Sequence, residues 1–198
     1  ISSPHSVMAA GDCLLTSPLT GLQLRRNAMW PEVARDAATE ASRSIGAVRD
    51  GGLTGVTKLF RDENSQPGFD ANGITTLRTF AGAGAAGFYV VDAHTGALSS
   101  SDYYPLVNAE VIDRACGIAR AAMLPYVNAK IPTNTTGANP GSITEAYARR
   151  IDATVKGAMQ AALVLGFPQD AVAVNAYTNR TNNLLATSQL IIAVSVQP

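Results

Sequence analysis

Apolar positions between residues 106 and 123 recur every three or four residues. Val111, Ala115, Ile118 and Ala122 form one stripe, with Ile112, Ala119 and Met123 beside it. That spacing predicts a helix with one face to bury. Glu110 and Arg114, at i and i+4 on the opposite side, are expected to pair. The same period returns in Tyr147, Ile151, Val155, Ala158 and Ala162. Here Ser142 and Glu145 have the spacing of a capping box, Gly166 suits a left-handed C-cap, and Pro168 blocks continuation. An earlier helix is predicted to open near Pro31, with Val33, Ala34, Ala37, Ala38, Ala41 and Ile45 on one side and Gly46 as its stop.

Short apolar runs supply the strands. Val56–Phe60, Phe88–Val91 and Gln189–Val196 are the candidates, separated by glycine-rich and acidic turns. The order of elements predicts an α/β fold, a mixed β-sheet with long amphipathic helices packed on it. The stripes centred on Ile118 and Ile151 are expected against one sheet containing Phe88–Val91 and Gln189–Val196. Residues 1–198 read as one partial α/β region. Within it, 1–30 is a candidate extended lead-in and 49–73 a long loop region. No internal repeat is visible.

Composition narrows the function classes. The 198 residues carry 15 basic and 15 acidic side chains, so no broad field favours nucleic acid or an anionic membrane. Twelve of the cations are Arg and three are Lys, a bias towards fixed bidentate pairs such as those of subunit contacts. Cys13 and Cys116 lie far apart and read as reduced, structural cysteines. No run approaches the roughly 18 apolar residues of a membrane span. The opening ISSPHSV and the closing QLIIAVSVQP both look cut from something larger.

Gly82, Gly84 and Gly87 have the spacing G-x-G-x-x-G. A dinucleotide fingerprint needs a strand, a glycine turn and then a helix, so that helix N-terminal amides hold the pyrophosphate. Here FYVV follows the glycines, and a bend where backbone segments approach closely is the better reading. His5 and His94 each lack metal-ligand companions at short spacing. Triplets such as Ser100, His94 and Asp102, or Ser3, His5 and Asp12, have no G-x-S-x-G elbow. Asp62 and Glu63 read as partners for arginines such as Arg61 or Arg49. Asn134 and Asn179 stand in glycosylation sequons, which matter only on secretion. The residues therefore point to no catalytic, cofactor or metal site.

Several ordered pieces resemble the contractile tail sheath proteins of bacteriophages and prophages. They are RRNAMWP at 25–31, RDGGLTGVTKLFRDE at 49–63, FDANGITTLRTFAGAGAAGFYVVDAHTG at 69–96, SSDYYPLVNAEVIDRACGIARAAM at 100–123, SITEAYARRIDATVKGAMQAALVLGF at 142–167 and NNLLATSQLIIAVSVQP at 182–198. The likeness spans about residues 20–198. It implies a sheath-type core domain and a structural subunit of the virion tail, assembled in the bacterial host cytoplasm. Its partners would be copies of itself in stacked hexameric rings and a tail tube protein, without cofactor, nucleic acid or membrane. Arg25, Arg26 and Arg78 occupy positions similar to recurring sheath arginines and are candidate intersubunit contacts.

In the resembled family the chain continues past the position of Pro198 into one more core strand and an arm. The resemblance thus implies an open edge beside Ile191–Val196, with Ile191, Ile192, Val194 and Val196 as further candidate contacts. Two alternatives remain open. A hydrolase would use a Ser/His/Asp set in a cleft. A non-enzymatic binding module would present the loops 175–183 or 62–73, with its sheet already closed.

Overall fold

A computed structural model describes residues 6–80, 84–165 and 169–198. The chain divides into two compact units, Ile1–Glu110 and Val111–Pro198. Among the described residues the strands form three separate antiparallel sheets, with helices packed around them. Phe88–Val91 and the C-terminal strand therefore belong to different sheets, and the expected single mixed sheet is corrected. Gly82, Gly166 and Pro168 lie outside the described residues, as do Ser3 and His5.

In unit one, β1 (Asp12–Thr16) lies between β2 (Gln23–Asn27) and β3 (Val56–Leu59). Both β1 and β2 fall within residues 1–30. A second sheet pairs β4 (Leu77–Phe80) with β5 (Ala85–Val90), placing Arg78 opposite Tyr89. Cys13, Ala28, Ile45, Val56, Leu77, Val90 and Ala93 form the core. Cys13 is a free, buried thiol, and Cys116 is free and exposed.

The glycines do lead into a strand. Gly84 precedes β5 and Gly87 sits within it, both with φ in the left-handed half of the map, at 77° and 113°. A Cβ on Gly87 would meet the Cα of Gly52 at 3.6 Å, and one on Gly52 would meet the Phe88 carbonyl oxygen at 3.3 Å. The Leu53 amide donates to the Phe88 carbonyl across this contact at 2.7 Å. Close backbone approach is what these two glycines allow.

The first helix, α1 (Met29–Ala38), is shorter than its pattern predicts, and its expected stripe faces outward. Val33, Ala34, Ala37 and Ala38 are exposed, whereas Pro31 and Glu32 are the buried residues. Thr39 takes an extended conformation, so the helix ends before Ile45, which enters the core from a turn.

The boundary between the units falls within α2 (Leu106–Met123). In unit two, Val111, Ala115 and Ala119 from this helix join Ala148, Ile151, Val155 and Met159 from α3 (Glu145–Met159) in one core. The strands β6 (Ala173–Thr178) and β7 (Ile192–Gln197) pair over six registered positions, and Val174 and Ala176 contribute to the same core. Ile118 and Ala122 are half-buried against it, as expected of the α2 stripe.

Two local expectations are corrected. Thr144, not Ser142, precedes α3, and no side-chain cap forms there. Ser142 is buried and its hydroxyl donates to the Asn139 carbonyl at 2.6 Å, so it belongs to the preceding loop. Arg114 pairs with the buried Asp170 and not with Glu110. At its far end α3 widens into a π-turn over Gln160–Val164, where the Leu165 amide donates to the Gln160 carbonyl at 2.8 Å. Leu163 on that turn is fully buried.

Ile151 is 0% exposed at the centre of this core. Ile151→Ala should cost about 2–4 kcal/mol through lost transfer energy and a cavity. A urea titration followed by far-UV circular dichroism measures the loss; a cost under about 1 kcal/mol would contradict the packing described.

Candidate assembly surfaces

Each of the three arginines is already engaged within unit one. Arg25, on β2, donates to Asp12 Oδ2 from Nε at 2.9 Å and from a terminal nitrogen at 2.6 Å. Its guanidinium also lies 4.4 Å from the centre of the Phe60 ring. Arg26 stands 5.8 Å from the Trp30 ring, and Arg78 stacks over Phe80 at 4.4 Å. These contacts hold planar cations against half-exposed aromatic rings. All five residues of β2 are exposed, so Arg25 and Arg26 remain at the surface.

The β7 residues divide by face. Ile192, Val194 and Val196 are half-buried and pack into the unit-two core, while Ala193, Ser195 and Gln197 point outward. Ile191, just before the strand, is 46% exposed. The Asn179 amide donates to the Ile191 carbonyl at 2.8 Å, in register with the β6–β7 ladder. By antiparallel alternation, the amides of 192, 194 and 196 then face away from β6. Among the described residues no strand pairs with that side. What β7 offers outward is therefore a backbone edge more than an apolar one.

Beside the start of β7 lies an open cleft of about 690 Å³. Ala119 and Met123 of α2, Tyr126, Leu184, Leu190 and Ile192 line it, with Arg120 at its border. Leu184 opens α4 (Leu184–Thr187), whose N-cap Asn183 accepts the Ala186 amide.

The sheet is fastened to α3 by a charged network that the sequence pattern does not disclose. Asp152 Oδ1 accepts both the Thr178 amide and the Thr178 hydroxyl at 2.6 Å. Its other oxygen accepts from Arg180 at 2.7 Å, and Arg180 also donates to Glu145 at 2.6 Å and to the Thr178 carbonyl at 2.7 Å. Burial works against ionised Asp152, but the Thr178 and Arg180 hydrogen bonds outweigh it and hold the carboxyl below its usual range. Glu145 is held low as well, first by Arg149 and then by Arg180. The guanidinium stacks 4.2 Å from the Tyr177 ring, closing the network over the outer face of β6. This strand occupies the first part of 175–183, which reads as loop in the sequence.

The paired carboxylates of the 62–73 segment organise a loop. Asp62 accepts the amides of Asn64 at 3.0 Å and Thr79 at 2.9 Å, together with the Thr79 hydroxyl. Burial opposes its ionisation, yet these bonds and the nearby Arg78 hold its carboxyl low. Glu63 Oε1 accepts the amides of Gly68 at 2.6 Å and Asp70 at 3.1 Å. Backbone amides thus replace the expected arginine partners.

His94 stacks on Tyr104, with ring centres 4.4 Å apart, and its Nε2 lies 3.5 Å from Asp70. These neighbours are not the Ser100 and Asp102 of the triplet considered from sequence. Among the described residues there is no group of three or more His, Cys, Asp or Glu side chains arranged to hold a metal ion. Nor is any described helix long and apolar enough to cross a membrane.

The fold has a counterpart among solved structures. A chain of the anti-feeding prophage (AFP) baseplate, determined by cryo-EM and six-fold symmetrised, matches with a TM-score of 0.62 at 14% sequence identity. The match covers 99% of this chain and 51% of that chain, so the present chain spans about half its length. No protein-family model matches the sequence. No curated protein matches it either.

Asp152→Ala should cost about 2–3 kcal/mol, because it strands Thr178 and Arg180 donors at a largely buried junction. The acid side carries a second signature. A carboxyl held low in the fold stabilises it above the ordinary value of 3.8, and that stabilisation is lost as pH falls through the lower folded value. Urea midpoints at pH 3 and pH 6 should therefore differ less in Asp152→Asn than in the unmodified protein.

Proposed function

We propose that this chain forms part of a structural subunit of a contractile tail sheath, which builds stacked hexameric rings around a tail tube. The observation that carries the reading is the fold shared, over nearly its whole length, with a chain of a prophage baseplate. The ordered segments resembling sheath proteins give the choice of sheath within that setting. The outward amides of β7 suit the addition of a strand from another copy, and the adjoining cleft suits the apolar side chains such a strand would bring.

On this reading the chain has no catalytic turnover of its own and sits in the virion tail. Free energy for shortening the sheath comes from the difference between two subunit arrangements, without a cofactor. The neighbours of His94 are Asp70 and Tyr104, not the Ser100 and Asp102 of the triplet that the hydrolase alternative draws on. Arg25, Arg26 and Arg78 would then serve contacts between copies through the faces their own partners leave open.

Electron microscopy of the full gene product tests the proposal. Tubes or stacked six-fold rings are expected, and a product that stays monomeric under tail-assembly conditions would overturn it. Val194→Pro removes one outward amide while leaving the β6-facing bonds of Ala193 and Ser195 in place. It should abolish or shorten the tubes with the helical circular dichroism signal retained.

A further inference from the structure

We propose that α1 is a proton-operated latch: it stays docked on unit one while Glu32 and Glu110, the acid of α2 that meets Asp36 of the helix, hold their protons, and it is released when they lose them. This rests on the contacts of α1 alone and is independent of the sheath reading.

Little apolar surface holds this helix. Of its ten residues only Pro31 and Glu32 are buried, while Met29, Trp30 and Val33 are between 51% and 60% exposed. Its docked side carries two acid groups, Glu32 and Asp36, beside Pro31 and Arg35. Glu32 is 4% exposed, and its Oε1 has no hydrogen-bond partner among the described residues. One turn on, the Asp36 carboxyl lies against the carboxyl of Glu110 on α2. Two carboxyl groups can bond only when one of them carries a proton, because the ionised form accepts and does not donate.

The surrounding charges do not relieve this. Cys13 of β1 faces Glu32, and its thiol is pushed up first by burial and then by Asp12 and Glu32. Arg35, on α1 itself, is directed to the carbonyls of Asp50 and Gly51. Arg43 pairs with Glu40 and Asp50, and Arg49 with Asp50. Asp113 lies one turn beyond Glu110 on α2. A positive helix N-terminus favours ionised Glu32, but the removal from water is the larger effect.

Burial pushes Glu32 up to about 7, and burial followed by the Asp36 charge pushes Glu110 to about 7. Each group has a folded value above the 4.5 of the free side chain, so the folded form binds more protons between those limits. Docking is therefore favoured at low pH, weakens as pH rises from about 4.5 to 7, and levels off above. Each group can change the opening equilibrium by at most about tenfold per pH unit. The half-buried Glu110 contributes less than Glu32.

Trp30 is the only tryptophan in the chain and lies on α1. Its emission, together with amide hydrogen exchange of residues 29–38 corrected for intrinsic rates, reads the latch between pH 4.5 and 8.5. The expected result is opening that grows with pH and flattens above about 7. The double variant Glu32→Gln with Glu110→Gln should keep α1 protected at pH 8 to the level of pH 5. Should that variant fail to fold, Asp36→Asn supplies an amide donor that does not titrate and should reduce the Glu110 part of the slope, leaving the share due to burial. Corrected protection that does not change with pH in the unmodified protein would overturn the proposal. So would a variant that titrates as the parent does.

Discussion

A two-stranded sheet has too little surface to stand alone in water, and unit two depends on what covers β6 and β7. Ile151, Val155 and Met159 of α3 provide that cover, and Val111, Ala115 and Ala119 of α2 close the same core. The inward side chains of β7 are consumed by this packing. Its outer edge is consequently all that remains for another strand, and the edge is presented on a strand whose position the helices determine. The Asp152–Thr178–Arg180 network fixes the registration of sheet and helix at the far end of β6.

Unit one is organised differently. Its sheets are small, and polar groups hold its long connections against them. Asp62 and Glu63 satisfy amides that the 62–73 segment would otherwise leave without partners. Gly52 and Gly87 let the chain before β3 run directly against β5. Such fastening needs little apolar residue content in the loop itself, which explains why a glycine-rich, acidic stretch can be ordered.

The legible parts of the sequence were those where burial follows a short period. The stripes of α2 and α3 are of that kind, and the apolar run Phe88–Val91 marked the second half of β5. β6 was missed because AVNAYT alternates with small and polar residues, leaving no apolar run. β2 was missed because every one of its residues is exposed and its centre is Arg25–Arg26. The outward turn of α1 defeats the pattern for another reason: Glu32, a carboxyl, occupies the inward position that periodicity gives to Val33 or Ala37. Of the candidate contacts, the three arginines could be named but their partners could not. Arg180 meets acids 28 and 35 positions away, and separations of that size leave no local signature.

The π-turn at the end of α3 bears on how this helix tolerates change in length. Ile151, Val155, Met159 and Leu163 are spaced by four, and in a regular helix each such step drifts by roughly 40° around the axis. The wider turn takes back part of that drift and returns Leu163 to the core. A π-turn of this kind is the footprint of one surplus residue absorbed within a helix. Related chains can accordingly differ by a single position here, one with the bulge and one without, while the strand that follows keeps its place.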